Sequence, residues 1–482
     1  MKYGGVALIA LMTASCASVN QELLEAQLPE APAAWTADDS VGATPTGDWV
    51  TAFNDPMLRS LISEAMENNN NLLAAAANLD QARAGAGISR AAMLPTVGAN
   101  FNAQRSAIVT DPTTAAQAGG GTTTSSNRLY INNFSLGGSL SWELDIWGRL
   151  TDETRASYRD ARAAQGDLYG AQLSIAARVA QSWFALIEAR QQRELADRDT
   201  EARERNLRVT ERRYDRGVSS SLDVRLSRSA LGSSQANLAL RQRLELEASR
   251  ALEVLLGRYP GAELEAAEAL PVLPALAGAG APGDILARRP DLVAAEARME
   301  AAGLRSRAAR KQFLPQLTLS SRAGTSGPDF ADLTDPQRLA GNMAAGLFQP
   351  LFQGGRLIAN SKRARAAAES ALFDYVQTTL TAYQEAENAI AAETLLAARE
   401  DALRLAYEEA AAAEDLTERR YSSGAATIFN LLDAQTRRIS SESQYIQAQQ
   451  QRVSNRVQLY LAIGGDFLTQ EKLAALAVDA GE

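Results

Sequence analysis

The chain has no histidine and only one cysteine, Cys16, among its 482 residues. Without histidine it cannot use Ser-His-Asp or Cys-His catalysis or bind zinc through imidazole. A single cysteine excludes internal disulfides and a metal cage of several thiolates. There is no glycine-rich phosphate loop or dinucleotide fingerprint, because the nearest glycine pair, Gly85 and Gly87, is too short for either. The sequence therefore predicts no enzyme, no bound metal and no cofactor.

The chain also lacks an excess of basic residues. It has 57 Asp and Glu against 48 Lys and Arg, which gives a net charge of −9. A nucleic-acid-binding protein needs a basic surface, so we predict no nucleic-acid partner. The mean hydropathy of −0.20 is too low for a protein made of many membrane-spanning helices.

The N-terminus has the features of a bacterial export signal. Lys2 precedes a seven-residue apolar run at 6–12, which is too short to span a bilayer. The small residues at 13–15 before Cys16 resemble a lipobox, which predicts removal of residues 1–15 and a lipid on Cys16. Ala17, rather than Asp, implies sorting to the outer membrane. The alternative is an ordinary cleaved signal peptide, with Cys16 discarded.

The two halves of the chain repeat one design. Prolines are absent from 113–259 and from 351–482, which permits long helices in both windows. An Arg-Arg-Tyr sequence followed by glycine occurs at 212–217 and again, 207 residues later, at 419–424. Matches of this kind in one order indicate an internal duplication.

Each half is predicted to contain two strands and a long helical hairpin. The strands are predicted at about 96–108, 132–146, 316–324 and 342–349. The hairpins are predicted at about 149–256 and 356–463, with tip turns at Gly217 and Gly424. The first arms of the hairpins are predicted at about 149–212 and 356–420, and a helix of that length spans about 95 Å, longer than any globular core.

The second strand has the clearest alternation. Leu136, Leu140 and Trp142 fall on one face, while Glu143 and Asp145 fall on the other. A soluble β-sandwich would also alternate. Aromatic residues near the strand ends and acidic residues on the polar face favour a membrane barrel with a wet interior. Four strands cannot close such a barrel, so several chains would have to contribute.

These features give a predicted domain order. It comprises a signal peptide at 1–15, a lipidated extended segment at 16–57, a first repeat at 58–260, a linker at 261–282, a second repeat at 283–465 and a tail at 466–482.

Several short motifs resemble those of the outer-membrane efflux factors. These are the tryptophan- and asparagine-containing segment at 49–72, Arg-Arg-Pro-Asp-Leu at 288–292, Tyr-Ser-Ser-Gly at 421–424 and Leu-Leu-Asp-Ala-Gln at 431–435. Together they are similar to the TolC-like family, and within it to lipoproteins of the OprM/NodT type. The resemblance covers about 45–465, nearly the whole predicted mature chain.

The resemblance implies a mainly α-helical homotrimer. Four strands from each chain would form a 12-stranded β-barrel in the outer membrane of a Gram-negative bacterium, continuous with a periplasmic α-helical barrel. Such a protein is a passive exit duct that works with a periplasmic adaptor and an inner-membrane pump, of RND type in this group. The alternative is a coiled-coil envelope scaffold or adaptor without transport, which would not need amphipathic strands.

The resemblance also implies a gate at the hairpin tips. Asp223 and Tyr421 match residues that hydrogen-bond between neighbouring hairpins and hold the tips closed, whereas a gate arginine of TolC is replaced by Ala426. The alternative roles are N-capping for Asp223 and turn packing for Tyr421.

The constriction is predicted a little further along the same helix. Phe429 matches an apolar constriction residue, and Asn430 and Asp433 match two acidic rings of TolC. Because only Asp433 is acidic, a trimer would carry three ring charges. The alternative for Asp433 is a solvated carboxylate near the helix start, favoured by the helix dipole.

Overall fold

The computed structural model describes residues 32–37, 49–110, 127–273 and 278–465. Cys16, the predicted signal peptide at 1–15 and the predicted tail at 466–482 lie outside the described residues. Helices dominate this part of the chain. The α-helices are α1 (Pro56–Asn68), α2 (Asn70–Ala91), α3 (Arg149–Asp215), α4 (Ser221–Leu255), α5 (Ile285–Arg288), α6 (Pro290–Lys311), α7 (Arg356–Ser422) and α8 (Ile428–Ala462).

The long helices of the two halves match in length and spacing. Helices α3 and α7 each have 67 residues, and α4 and α8 each have 35. Helices α7 and α8 each begin 207 residues after their counterparts α3 and α4. Helices α3 and α7 extend past the predicted ends near 212 and 420, because hydrogen bonds in the turns satisfy their last carbonyls.

The four strands form one antiparallel sheet in chain order. They are β1 (Thr96–Thr110), β2 (Asn127–Leu144), β3 (Gln316–Gly327) and β4 (Ala340–Phe348). Strands β1 and β4 are therefore the edges, and within the described residues neither has a second neighbour. An unpaired edge leaves a row of backbone donors and acceptors open to another strand.

The register sorts the side chains into an apolar and a polar face. One row aligns Leu144, Leu317 and Leu347, and a parallel row aligns Phe101 with Leu136. The intervening rows carry polar residues that include Asn100, Asn102, Ser139, Ser141, Ser320, Arg322 and Asn342. Much of the apolar face is exposed, as Leu347 at 70% and Leu136 at 45% show.

The apolar face has a definite limit. On β2 it runs from Phe134 to Leu144, and beyond Phe134 the same face carries Asn132 opposite Arg105. A membrane-spanning strand needs about 9–11 residues. The apolar band on β2 therefore has the length of one membrane crossing.

The sequence pattern predicted that Asp145 lies on the polar face of the sheet. This prediction is wrong. Strand β2 ends at Leu144, and the Asp145 carboxylate accepts hydrogen bonds from the backbone nitrogens of Leu150 at 3.0 Å and Thr151 at 2.7 Å. Since the first amides of a helix lack partners inside it, Asp145 is placed to satisfy the start of α3.

One row of the polar face carries very little side chain. It aligns Asn100, Gly137, Gly324 and Ala340 across the four strands. A Cβ atom on Gly324 would lie 2.5 Å from the Leu136 carbonyl oxygen, so this close approach of β2 and β3 requires glycine.

The described residues form two compact units. Of the described residues, the first unit takes those up to 79, those within 162–296 and those from 372 onward, and the second takes those within 80–161 and 297–371. The core of the first unit surrounds Trp183, which is 1% exposed and donates from Nε1 to Asp55 Oδ2 at 2.7 Å. The other Asp55 oxygen accepts from the Leu58 amide at 3.0 Å, so one carboxylate both caps α1 and anchors the core tryptophan.

Two of the sequence motifs have structural roles in the first unit. Asn69 is 3% exposed, accepts from the Asn71 amide at 2.9 Å and donates to the Leu255 carbonyl at 2.7 Å near the end of α4. Arg289 is 8% exposed and donates to the Ala462 carbonyl at 3.1 Å, at the end of α8. Both side chains satisfy helix-end carbonyls that have no partner within their own helix.

Gly257 gives a test of this packing. Its φ is +76°, and a Cβ atom at this position would lie 2.6 Å from the backbone carbonyl oxygen of Asn68. Gly217 has nearly the same φ, +75°, but a Cβ atom there would have no neighbouring atom within 4 Å. Gly217→Ala should cost about 1–2 kcal/mol through left-handed strain alone. Gly257→Ala should cost about 1–3 kcal/mol more through overpacking.

The measurement is thermal unfolding in detergent, followed by far-ultraviolet circular dichroism. Equal melting temperatures for the two variants would contradict the close approach of Gly257 to Asn68.

Candidate functional site

Each hairpin turn begins with a glycine that ends the preceding helix. Gly217 and Gly424 have φ values of +75° and +81°. After Gly217, the amide of Val218 donates to the Arg213 carbonyl at 2.8 Å, and the equivalent bond 207 residues later is also 2.8 Å. This is the Schellman arrangement, which satisfies the final carbonyls of α3 and α7.

Each turn ends with a reciprocal cap. The Asp223 amide donates to Ser220 Oγ at 3.2 Å, and the Ser220 amide donates to Asp223 Oδ2 at 2.9 Å. The second turn repeats this arrangement with Thr427 and Asn430, at 3.3 and 3.2 Å. Asp223 and Asn430 are therefore equivalent members of two capping boxes.

Tyr421 is buried in the turn region at 7% exposure. Its hydroxyl lies 3.2 Å from Thr210 Oγ1, which itself donates to the Asn206 carbonyl at 2.9 Å. Because the Thr210 proton is used, the Tyr421 hydroxyl is the donor. The Arg213 guanidinium lies 4.9 Å from the centre of the tyrosine ring and donates to the Tyr421 carbonyl at 3.1 Å.

Tyr421 and Asp223 do not bond to each other within this chain. Among the described residues, the Tyr421 hydroxyl pairs with Thr210, and the Asp223 carboxylate pairs with the Ser220 amide. Only Oδ2 of Asp223 is used in that cap, so Oδ1 is left for another donor.

The predicted constriction residues share the exposed face of α8. Phe429 is 67% exposed, and Asn430 and Asp433 are also exposed. The opposite face buries Ile428, Leu431 and Gln435. In a helix, residues four apart lie on one face, so Phe429 and Asp433 form a stripe that no other part of this chain covers among the described residues.

Asp433 is paired with a residue that the sequence reasoning missed. Arg437 Nε lies 2.9 Å from Asp433 Oδ2, and both side chains are exposed. Because its guanidinium donates a hydrogen bond to this carboxylate, the pKa of Arg437 is raised. The i, i+4 spacing of Asp and Arg was visible in the sequence and predicts such a pair on a helix.

The chemistry at the tips consists of hydrogen bonds, exposed apolar side chains that include Val218, Leu222 and Phe429, and ion pairs such as Asp433 with Arg437. Among the described residues, no group of acidic or cysteine side chains is arranged to hold a metal ion. In the same part of the chain, no helix combines the length and apolar character needed to cross a membrane.

One protein family and several individual proteins are similar to this chain in sequence. The family model of the outer membrane efflux protein matches residues 61–258 and 281–465, most of the chain. The pyoverdine export outer membrane protein OpmQ of Pseudomonas aeruginosa is 31% identical over 444 residues, which cover 91% of each protein. The toluene efflux pump outer membrane protein TtgC of Pseudomonas putida is 30% identical over 466 residues, covering 92% of each.

Solved structures of outer-membrane channels are also similar to this chain. The outer-membrane channel OprN superposes with a TM-score of 0.81 at 26% identity, over 91% of this chain and 98% of that one. CusC gives a TM-score of 0.78 at 25% identity over the same shares. These proteins are TolC-like outer-membrane channels rather than enzymes, which confirms the family predicted from the sequence motifs. The chain belongs to the outer membrane efflux protein family.

Proposed function

We propose that three copies of this chain form the passive exit duct of a tripartite efflux pump. The duct receives its substrate from an inner-membrane transporter of RND type through a periplasmic adaptor, and releases it across the outer membrane. Family membership supports the efflux role. Three chains would close a 12-stranded barrel and an α-helical tunnel, to which each chain contributes four strands and two hairpins.

The observation that carries this proposal is the sheet. Its apolar face is exposed over one membrane thickness and its other face is polar. Its edges β1 and β4 are unpaired by any other described strand. In lipid, each open backbone group costs several kcal/mol, so membrane strands must close into a barrel. Pairing β4 of one chain with β1 of the next satisfies both edges and directs the polar face inward.

The gate lies at the hairpin tips in this proposal. Asp223 and Tyr421 form the latch between neighbouring hairpins, and Phe429, Asn430 and Asp433 face the tunnel axis. The exposed α8 stripe and the Asp223 Oδ1 that the cap leaves unused support these roles. To donate to that oxygen in a neighbouring hairpin, the Tyr421 hydroxyl gives up its bond to Thr210. A lipid on Cys16 would anchor the chain to the outer membrane in addition to the barrel.

The two faces of β4 provide a matched test of the barrel. Met343 is 76% exposed on the apolar face, and its neighbour Asn342 lies on the polar face opposite Arg322. A lysine facing lipid costs about 2–4 kcal/mol at mid-membrane, whereas one facing the lumen costs little. Met343→Lys should therefore reduce the amount of protein in the outer-membrane fraction, and Asn342→Lys should leave it near wild type.

Fractionation of cells that express each variant at equal total level gives the measurement. A normal amount of Met343→Lys in the outer membrane, or equal losses for both variants, would count against a lipid-facing role for this side of β4.

Ion selectivity tests the placement of Asp433 and the passive mechanism together. Purified protein in planar bilayers should conduct without an energy source. Asp433→Asn should lower the preference for cations, and Arg437→Gln should raise it, because Arg437 opposes the carboxylate in each chain. Both changes should shrink at high salt, where the charges are screened.

A conducting wild type in which neither substitution changes the reversal potential at low salt would place Asp433 away from the pore. Protein that reaches the membrane as a trimer but never conducts would instead favour the scaffold alternative.

The latch can be separated from the cap at Asp223. Asparagine already serves the equivalent cap at Asn430, so Asp223→Asn keeps the capping box and removes only the charge. A charge-assisted hydrogen bond is about twice as strong as a neutral one. Weakening the latch by about 1 kcal/mol of hydrogen-bond free energy should raise the fraction of channels with open tips about fivefold.

Tyr421→Phe should have at least as large an effect, because it removes the bond that Asp223→Asn only weakens. Combining the two substitutions should add little to Tyr421→Phe, because both act on the same bond. The readouts are channel conductance and the sensitivity of cells to large antibiotics. If Asp223→Asn leaves both unchanged while Asp223→Ala lowers thermal stability, Asp223 is a cap and not a latch.

A further inference from the structure

The segment Thr-Glu-Arg-Arg-Tyr occurs twice, at 210–214 and at 417–421, just before the glycine of each turn. The two copies are in different environments. Tyr421 is 7% exposed, whereas Tyr214 is 48% exposed. Identical sequences at equivalent positions therefore have unequal packing within one chain.

The buried tyrosine contacts the other repeat. Tyr421 of the second repeat bonds to Thr210 of the first and stacks under Arg213 of the first. We name these three residues the inner cluster. It is a directional contact, because the tyrosine comes from one repeat and the threonine and arginine come from the other.

The residues that would make the same contact in the opposite direction are also present. They are Tyr214 of the first repeat with Thr417 and Arg420 of the second, which we name the outer triad. The Thr417 hydroxyl donates to the Ala413 carbonyl at 2.7 Å, as Thr210 does to Asn206, so its oxygen is again placed to accept.

The outer triad is not assembled within the chain. The Arg420 side chain is exposed, and among the described residues its guanidinium has no ion pair or hydrogen bond. The Tyr214 hydroxyl also has no partner there. Tyr214 and Arg420 are therefore exposed, and Thr417 beside them is half-buried. The residues of a contact that forms elsewhere in the chain are thus available on one molecule.

We propose that the outer triad forms between two copies of this chain, with Tyr214 of one copy donating to Thr417 of the next while Arg420 covers its ring. The proposal rests on the proposed trimer, and it names side chains that hold the ring together near the tips. A contact from the second repeat of one copy to the first repeat of the next is head-to-tail, and such contacts generate closed rings.

One difference between the two sites affects the strength of the contact. Ser227 Oγ lies 3.4 Å from Thr210 Oγ1 beside the inner cluster, but the equivalent position 207 residues later is Ala434. The contact between copies therefore lacks one hydroxyl and should be the weaker of the two, as suits an interface that must separate when tips move.

Cross-linking with a matched internal control tests the proposal. A chain carrying Tyr214→Cys and Thr417→Cys is treated with a short bifunctional maleimide. A second chain carries Thr210→Cys and Tyr421→Cys, which the inner cluster holds at the same separation. The parent chain, whose one cysteine is Cys16, gives the background.

The Tyr214 and Thr417 pair should yield covalent dimers and trimers on denaturing gels, and the control pair should react only within single chains. If the control pair reacts while the Tyr214 and Thr417 pair gives only monomers, and size measurements show intact trimers, the proposal is wrong and the proposed function stands. A protein that is monomeric in the membrane overturns both.

A second measurement avoids cysteine substitutions. Tyr214→Phe and Arg420→Gln should each speed dissociation of the trimer in detergent about tenfold, since three copies of a hydrogen bond or ring contact are lost together. Tyr259→Phe, at a tyrosine that is 89% exposed, should have no effect. Dissociation of all three variants at the wild-type rate would overturn the proposal.

Discussion

The hydrogen bonds at the two hairpin turns fix the register of four long helices. Each turn joins a left-handed glycine, Gly217 or Gly424, to a capping box that begins the returning helix. One residue more or less in a turn would rotate that helix by about 100°. Ile428 and Leu431 would then leave the core, and the exposed stripe of Phe429 and Asp433 would turn away from its present direction. The candidate gate therefore depends on a few backbone bonds in each turn.

The duplicated halves share their turns but differ in the side chains placed around them. At the cap, the first repeat has Asp223 and the second has Asn430, so equivalent positions make equivalent bonds with and without a charge. At the tyrosine, burial differs between Tyr214 and Tyr421 although the local sequence is identical. The duplicated halves thus share one backbone arrangement at the turns, while the charge of the capping residue and the burial of the tyrosine differ between them.

Local sequence patterns predicted the features that depend only on nearby residues, such as strands and helix caps. Alternation located β2, and the Ser-x-x-Asp and Thr-x-x-Asn spacings already contain the two capping boxes. The strand continues to Asn127, before the alternation begins, because β1 extends far enough to pair with it. The contact of Thr210 with Tyr421 joins residues 211 positions apart. No local pattern distinguishes this pair from Tyr214 and Thr417, which do not contact each other within the chain. Asp145 was misplaced because a carboxylate just after a strand fits either a polar face or a helix cap.

The row of small residues across the sheet bears on what limits cargo size. Gly137 and Gly324 face each other on the polar side, between Asn100 and Ala340. In the proposed barrel this row repeats three times around the wall, and three of its four residues, Gly137, Gly324 and Ala340, leave the lumen near its full width. The wall at this level would then be a poor sieve, and the upper limit on the diameter of an exported molecule would be set by how far the tips can part.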